Sequence, residues 1–240
     1  MAGSADRLGD LKTSSAGSSR QQLSEEVASY VRELILSGQV KQGDFLRLEP
    51  IAEALGVSNT PVREGLLSLR GEGFVALVPR RGFVVGSFTR QDVEDIFWAQ
   101  AMIGSELAAR AATKISKDGL RRLQETQELH DKAVKDADPA NIAKLGHEFH
   151  RVINLAAGSP RLATLMGTTA AYLPNRFYAT VDAQVQSTLH AHPAILEALQ
   201  RGNAHSARAQ MRDHILAGGE NLIADLASRG VWGEPSEAAS

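Results

Sequence analysis

Apolar side chains recur at helical spacing through the first third of the chain. Leu23, Val27, Tyr30, Val31, Leu34 and Ile35 fall on one face between Gln22 and Ser37, which predicts a helix closed by Gly38. A shorter pattern follows from Leu48. Ile51 and Leu55 pair four apart, Ala52 is small, and Gly56 interrupts the run. Val62, Leu66 and Leu69 then resume helical spacing, with Ser58 placed to cap this second helix and Pro61 in its first turn. A helix, a sharp turn at a residue tolerant of positive φ and a second helix make a helix-turn-helix. Phe74–Val78 and Phe83–Val85 read as two strands around the turn Pro79–Arg80–Arg81–Gly82. A hairpin directly after a helix-turn-helix is a wing. It would touch the minor groove or backbone while the second helix enters the major groove.

The remaining pattern predicts helices over Gln91–Ala112, capped by Thr89, then Ser116–Ala137, Asn141–Ala156 and Pro160 to about Leu173. Two more are expected near 185–200, ended by Gly202, and over Ala204–Ser228. Pro139, Pro160, Pro174 and Pro193 are assigned to helix ends, where a missing N–H does least harm. The expected fold is therefore mainly α. A winged helix-turn-helix with a small β-hairpin occupies 21–88, and an antiparallel bundle of about six helices occupies 89–230. Residues 1–20, rich in Ser and Gly, and 231–240 are expected to be disordered tails.

Composition narrows the chemistry. The 240 residues contain no cysteine, which excludes disulfides, thiolate metal sites and thiol nucleophiles. No apolar run is long enough to span a bilayer and residues 1–20 carry no secretory signal, so a cytoplasmic protein with no membrane partner is expected. The formal net charge is −2, but it is unevenly spread. Residues 59–90 hold Arg63, Arg70, Arg80, Arg81 and Arg90 against Glu64 and Glu72, whereas 21–58 are acidic by three charges. Positive charge thus lies on the segment that would face phosphates. Ser58, Asn59, Thr60, Arg63, Arg70, Arg80, Arg81 and Gly82 are the candidate DNA contacts.

Ala supplies 26 of residues 91–230, consistent with a helical half, and all seven histidines lie between His130 and His214. His150, His192 and His214 fall on three different expected helices, His150 at one edge of an apolar stripe and His214 beside Met211 and Ile215. Three imidazoles converging from three helices suit a divalent ion, zinc or similar, whose open positions would take a carboxylate. Without an ion, the same residues would be three buried histidines hydrogen-bonded inside an organic-acid or vestigial pocket.

The run Val57–Ser58–Asn59–Thr60–Pro61–Val62–Arg63–Glu64–Gly65–Leu66, followed by Gly73–Phe74–Val75 and Pro79–Arg80–Arg81–Gly82, resembles the winged helix of GntR-family bacterial regulators, whose pattern is roughly V-S-R-T-P-V-R-E-A-L, e-G-l-v and p-r-r-G. The resemblance implies DNA contacts at Thr60 and Arg63 and close approach at Gly82. Asn59 stands where the family usually has Arg, and Asn pairs with adenine where Arg prefers guanine or phosphate. Gly65 replaces the usual Ala, at an expected cost to the helix of up to about 1 kcal/mol. Phe149–His150–Arg151, the segment His192–Leu199 and Met211–Ile215 resemble the FCD ligand-binding domain of the FadR subfamily. That implies a metal-dependent pocket for a small organic acid, with His150, His192 and His214 as ligands. The family's usual Asp four residues before the first His is here Gly146, with His147 as a candidate substitute. Trp98–Ala99–Gln100–Ala101 occupies the region where the family often carries an effector-binding arginine; Arg176 is a candidate carboxylate anchor, with a surface or interface arginine as the alternative.

An enzyme is the rival reading. His147 and His150 lie three apart, not the four of the H-E-x-x-H zinc motif, and no G-x-S-x-G, phosphate loop or paired catalytic carboxylates occur. The expected function is a homodimeric, DNA-binding transcriptional repressor responsive to a small carboxylate.

Overall fold

The computed structural model describes residues 15–173 and 179–232. The chain divides into two compact units: α1 up to Val31 with residues 42–87, and residues 32–41 with those from Phe88 onward.

In the first unit, α1 (Ser15–Leu36) precedes α2 (Leu48–Leu55) and α3 (Asn59–Gly71), with strands β1 (Phe45–Leu46), β2 (Val75–Val78) and β3 (Gly82–Val85). Gly56 ends α2 in the left-handed region at φ 65°, and the Val57 N–H closes the turn on the Ala52 carbonyl at 3.0 Å. Ile51, Val62, Leu66, Leu69, Phe74 and Phe83 are buried. Three features differ from expectation. Helix α1 starts at Ser15, so residues 15–20 of the expected tail are helical; there Arg20 Nε donates to Glu64 of α3 at 3.1 Å. The wing gains a third strand, because β1 pairs antiparallel with β3 in the order β1-β3-β2. Two residues show no alternation to read, and their place is fixed by the Gly43 N–H to the Val85 carbonyl (3.0 Å) and the Val85 N–H to the Asp44 carbonyl (2.9 Å). Third, Gly65 lies at a close helix crossing. A Cβ there would meet the Ser24 carbonyl oxygen at 2.7 Å and Val27 Cγ1 at 2.8 Å.

The second unit contains α4 (Arg90–Lys114), α5 (Lys117–Lys135), α6 (Pro139–Ala156), α7 (Pro160–Ala170), α8 (Asp182–Gln200) and α9 (Ala204–Ser228). Their starts are chemically marked. Thr89 and Asp92 form a reciprocal capping box, and Ser116, Asp138 and Asn203 each accept a hydrogen bond from an N–H in the first turn. Pro139 and Pro160 sit at helix starts, but Pro193 lies inside α8, contrary to the expectation that it marks an end. Its ring leaves the Leu189 carbonyl without the usual intrahelical donor, and burial of Ile195, Leu196 and Leu199 beyond it carries the helix on. Pro174 lies outside the described residues. Phe97, Leu107, Leu123, Phe149, Ile153, Ile195, Met211 and Leu222 share one core. Helices α4 and α9 pack closely enough that a Cβ on Gly219 would fall 2.7 Å from Phe97 Cγ. After α9, the Trp232 indole N–H donates to the Phe88 carbonyl at 2.8 Å. No helix among the described residues is long and apolar enough to cross a membrane.

Candidate nucleic-acid interface and effector pocket

The buried face of α3 (Pro61, Val62, Gly65, Leu66, Leu69) turns its opposite face outward. Ser58, Asn59, Thr60, Arg63 and Arg70 are all exposed. Ser58 is at the N-cap position but its side chain makes no capping hydrogen bond, so the expected cap is a matter of position only. Arg63 lines a groove together with Arg80, Arg81 and Gly82 of the wing. Arg47 lines the same groove, a fourth arginine, and it comes from the segment 21–58 whose net charge is negative. No periodicity marks it; the turn between β1 and α2 carries it there. Arg70, at the other end of α3, lies outside this groove, about 16 Å along the helix from Asn59 at 1.5 Å per residue.

The wing tip is built to present its arginines. The Arg81 N–H donates to the Val78 carbonyl at 3.1 Å, closing a turn in which Arg80 adopts φ 62°. Glycine occupies such a position at least cost, so an arginine there carries backbone strain of about 1 kcal/mol or more. The Arg81 guanidinium lies 4.6 Å from the centre of the exposed Phe45 ring, which restrains it on the groove side.

The second unit contains a partly open cavity of about 300 Å³. Its wall brings together His150 of α6, His192 of α8 and His214 of α9, whose candidate ligand nitrogens all lie within 4.8 Å of one another. His150 Nε2 and His214 Nε2 are 3.2 Å apart. His192 and His214 are buried, and the His192 ring stacks on Phe149 at 4.0 Å between centroids. Burial, with the neighbouring His214, His147 and His130 adding to it, pushes the His150 imidazole down to about 3. Burial pushes His214 down to about 4 and holds His192 well below the usual histidine range. All three are therefore neutral at pH 7, the state in which imidazole offers a lone pair. His192 Nδ1 is 3.1 Å from Gln127 Oε1, whereas its Nε2 is buried with no hydrogen-bond partner.

Other expected residues are placed less centrally. His147 is exposed and lines the cavity, but it is not in the three-nitrogen cluster. Arg176 lies outside the described residues. Among the described residues, Arg151 is the cationic side chain that lines the cavity, and it also pairs with Glu148 at 3.4 Å. Its signal in the sequence was its place directly after His150. Gln100 is buried, lines the cavity and donates to the Thr169 carbonyl at 3.0 Å.

Residues 95–217 match the profile of the FCD domain, and residues 23–85 match that of bacterial regulatory proteins of the gntR family. The chain is an FCD-domain member of the gntR family. Like its relatives in the family, this gntR regulator is a DNA-binding transcriptional regulator and not an enzyme. It is 27% identical over 218 residues to the Exu regulon transcriptional regulator of Escherichia coli K12, covering 81% of this chain and 82% of that protein. It is also 27% identical over 226 residues to the HTH-type transcriptional regulator YcbG of Bacillus subtilis, covering 87% of this chain and 92% of the relative. The solved structure of E. coli McbR/YncC superposes with a TM-score of 0.65 at 22% identity, covering 86% of this chain and 97% of that one. That likeness shows the shared mainly helical fold with its small sheet. Gly146, where the resemblance to the FCD domain implies Asp, borders the cavity, and a Cβ built on it meets nothing within 4 Å.

Proposed function

We propose that the protein is a homodimeric repressor of the FadR subfamily whose grip on its operator is released by a small carboxylate metabolite, held in the helical unit at a divalent ion such as zinc. The observation that carries this reading is the cluster of three neutral imidazoles in the cavity wall. Zinc–nitrogen bonds of about 2.0–2.1 Å set neighbouring ligand nitrogens roughly 3 Å or a little more apart. The 3.2 Å between His150 and His214, and the partnerless Nε2 of His192, fit that demand. His150, His192 and His214 would hold the ion, which supplies a Lewis acid for a carboxylate oxygen. Arg151 offers a guanidinium from the same wall, and Gln100 an amide. With His147 at the exposed edge and glycine at 146, imidazoles alone carry the binding.

On the DNA side, two copies of the winged helix read a pseudo-palindrome, with Asn59, Thr60 and Arg63 at base edges and Arg47, Arg80 and Arg81 on phosphates. A ligand releases such a dimer only by binding better to the form whose recognition helices miss one half-site.

The test uses the full chain and a duplex selected by it from a random pool, followed by fluorescence anisotropy. Arg63→Ala should weaken binding at least ten-fold while leaving thermal unfolding of the protein unchanged; wild-type affinity in this variant would sink the recognition assignment. Zinc uptake is measured by elemental analysis after dialysis. One ion per wild-type chain and none in the His192→Ala, His214→Ala double variant is expected, and a wild-type chain that takes up no divalent metal would leave a metal-free pocket.

A further inference from the structure

We propose that Gln127, held in place by Asp131, fixes which nitrogen of His192 carries the ring proton and so aims the other nitrogen's lone pair at the imidazole cluster. The inference goes beyond the ligand assignment and rests on it for its use. Gln127 and Asp131 are four apart on α5, and neither belongs to the three-histidine set. Gln127 Nε2 donates to Asp131 Oδ1 at 2.7 Å. A carboxylate accepts hydrogen bonds and cannot donate them, so the amide nitrogen must be the group that faces it. The amide oxygen is then committed to the opposite side, where it lies 3.1 Å from His192 Nδ1. An amide oxygen is an acceptor, so Nδ1 carries the hydrogen and Nε2 carries the lone pair. That Nε2 is the buried nitrogen with no partner.

The alternative tautomer is costly in this setting. It would set the Nδ1 lone pair against the Gln127 oxygen and bury an Nε2–H with no acceptor; rotating the amide to repair the first fault would break the bond to Asp131. Gln127 is itself buried, so water cannot replace either bond cheaply. The stacked Phe149 ring, inclined only 8° to His192, holds the imidazole plane while Gln127 selects its proton position. Gln127 is thus a positioning residue acting through His192, and Asp131 acts through Gln127.

The experiment reads the tautomer directly. Two-bond ¹H–¹⁵N correlations of the histidine rings are recorded on the metal-free full-length protein, and zinc affinity is measured separately by competition with a chelating dye. Wild type should show His192 as a single Nδ1–H tautomer. Gln127→Met, close in volume, should give a mixture of tautomers and bind zinc about 10–100-fold more weakly. The exchanged pair Gln127→Glu with Asp131→Asn keeps the charge and an acceptor facing His192 Nδ1 while reversing the hydrogen bond between positions 127 and 131, so it should restore the single tautomer and the affinity. A wild-type His192 protonated at Nε2, or a Gln127→Met protein with the wild-type tautomer, would overturn the proposal. Absence of zinc binding by wild type would instead remove the metal reading, and the ring spectra would still decide the role of Gln127.

Discussion

A residue can carry opposite signs in isolation and in place, and Gly65 does so. Glycine costs a helix about 1 kcal/mol against alanine, and that local rule makes Gly65 look like a defect. The neighbouring α1 backbone reverses the account, since an added methyl group would press on the Ser24 carbonyl oxygen at 2.7 Å. Backbone atoms yield less readily than a flexible side-chain end, and overpacking of this kind costs about 1–3 kcal/mol. Gly65→Ala should therefore lower stability by on the order of 1 kcal/mol despite the better helix former, measured as an earlier urea midpoint with unchanged slope. A stabilised variant would show that α1 moves away at no cost. Arg47 was illegible for a related reason: its chemistry is plain, but its place beside Arg63 depends on the chain's path from β1 into α2.

Helix α6 concentrates the question of how the pocket binds. At about 100° per residue, positions 146 and 147 flank the direction of His150 by roughly 40° and 60° on opposite sides. Both border the cavity, and the space in front of Gly146 is empty to at least 4 Å. A carboxylate introduced there has room to reach an ion held by the three imidazoles. Gly146→Asp should fold normally and bind zinc at least ten-fold more tightly in a dye-competition titration. Unchanged zinc affinity would mean that residue 146 does not face the ligand position. The element boundaries of this half were legible because Thr89, Ser116, Asp138 and Asn203 state them chemically. Pro193 was misread because a proline's local preference yields to a helix held by burial on both sides of it. The three clustered histidines were legible as residues on separate helices. Gln127 was not, because its importance lies in whom it faces across two helices and not in any pattern along its own.

For the molecule as a whole, the buried histidines tie stability to pH. In the unfolded chain each imidazole titrates near 6.5, whereas in the folded, metal-free protein His214 titrates near 4 and His150 near 3. Above pH 6.5 neither state binds these protons and folding incurs no penalty. As pH falls below 6.5 the unfolded chain takes up protons that the folded chain refuses, so stability is lost progressively toward pH 4, by up to about 1.4 kcal/mol per unit for each such group. The melting temperature of chelator-treated protein should drop across this window, and His192→Ala with His214→Ala should flatten the drop. A wild-type profile as flat as the variant's would contradict burial of the neutral rings. The division between a basic stretch on α3 and the wing and an acidic remainder was readable from charge order alone, because it rests on residue types and not on their neighbours in space. The third wing strand needed the fold, since its two residues gain meaning only from β3.

The hydrogen bond from Trp232 to the Phe88 carbonyl also gives the protein a built-in optical gauge. The chain has two tryptophans, and Trp98 is 62% exposed while Trp232 is partly buried at the end of the helix that carries His214. Their emission should separate, with Trp98 red-shifted and quenched by iodide and Trp232 bluer and shielded. Replacing Trp98 with Phe leaves a single emitter eighteen positions along the chain from His214, just beyond the end of α9. A change in its emission on adding zinc or a carboxylate would report a rearrangement at the end of α9, read without attaching any dye.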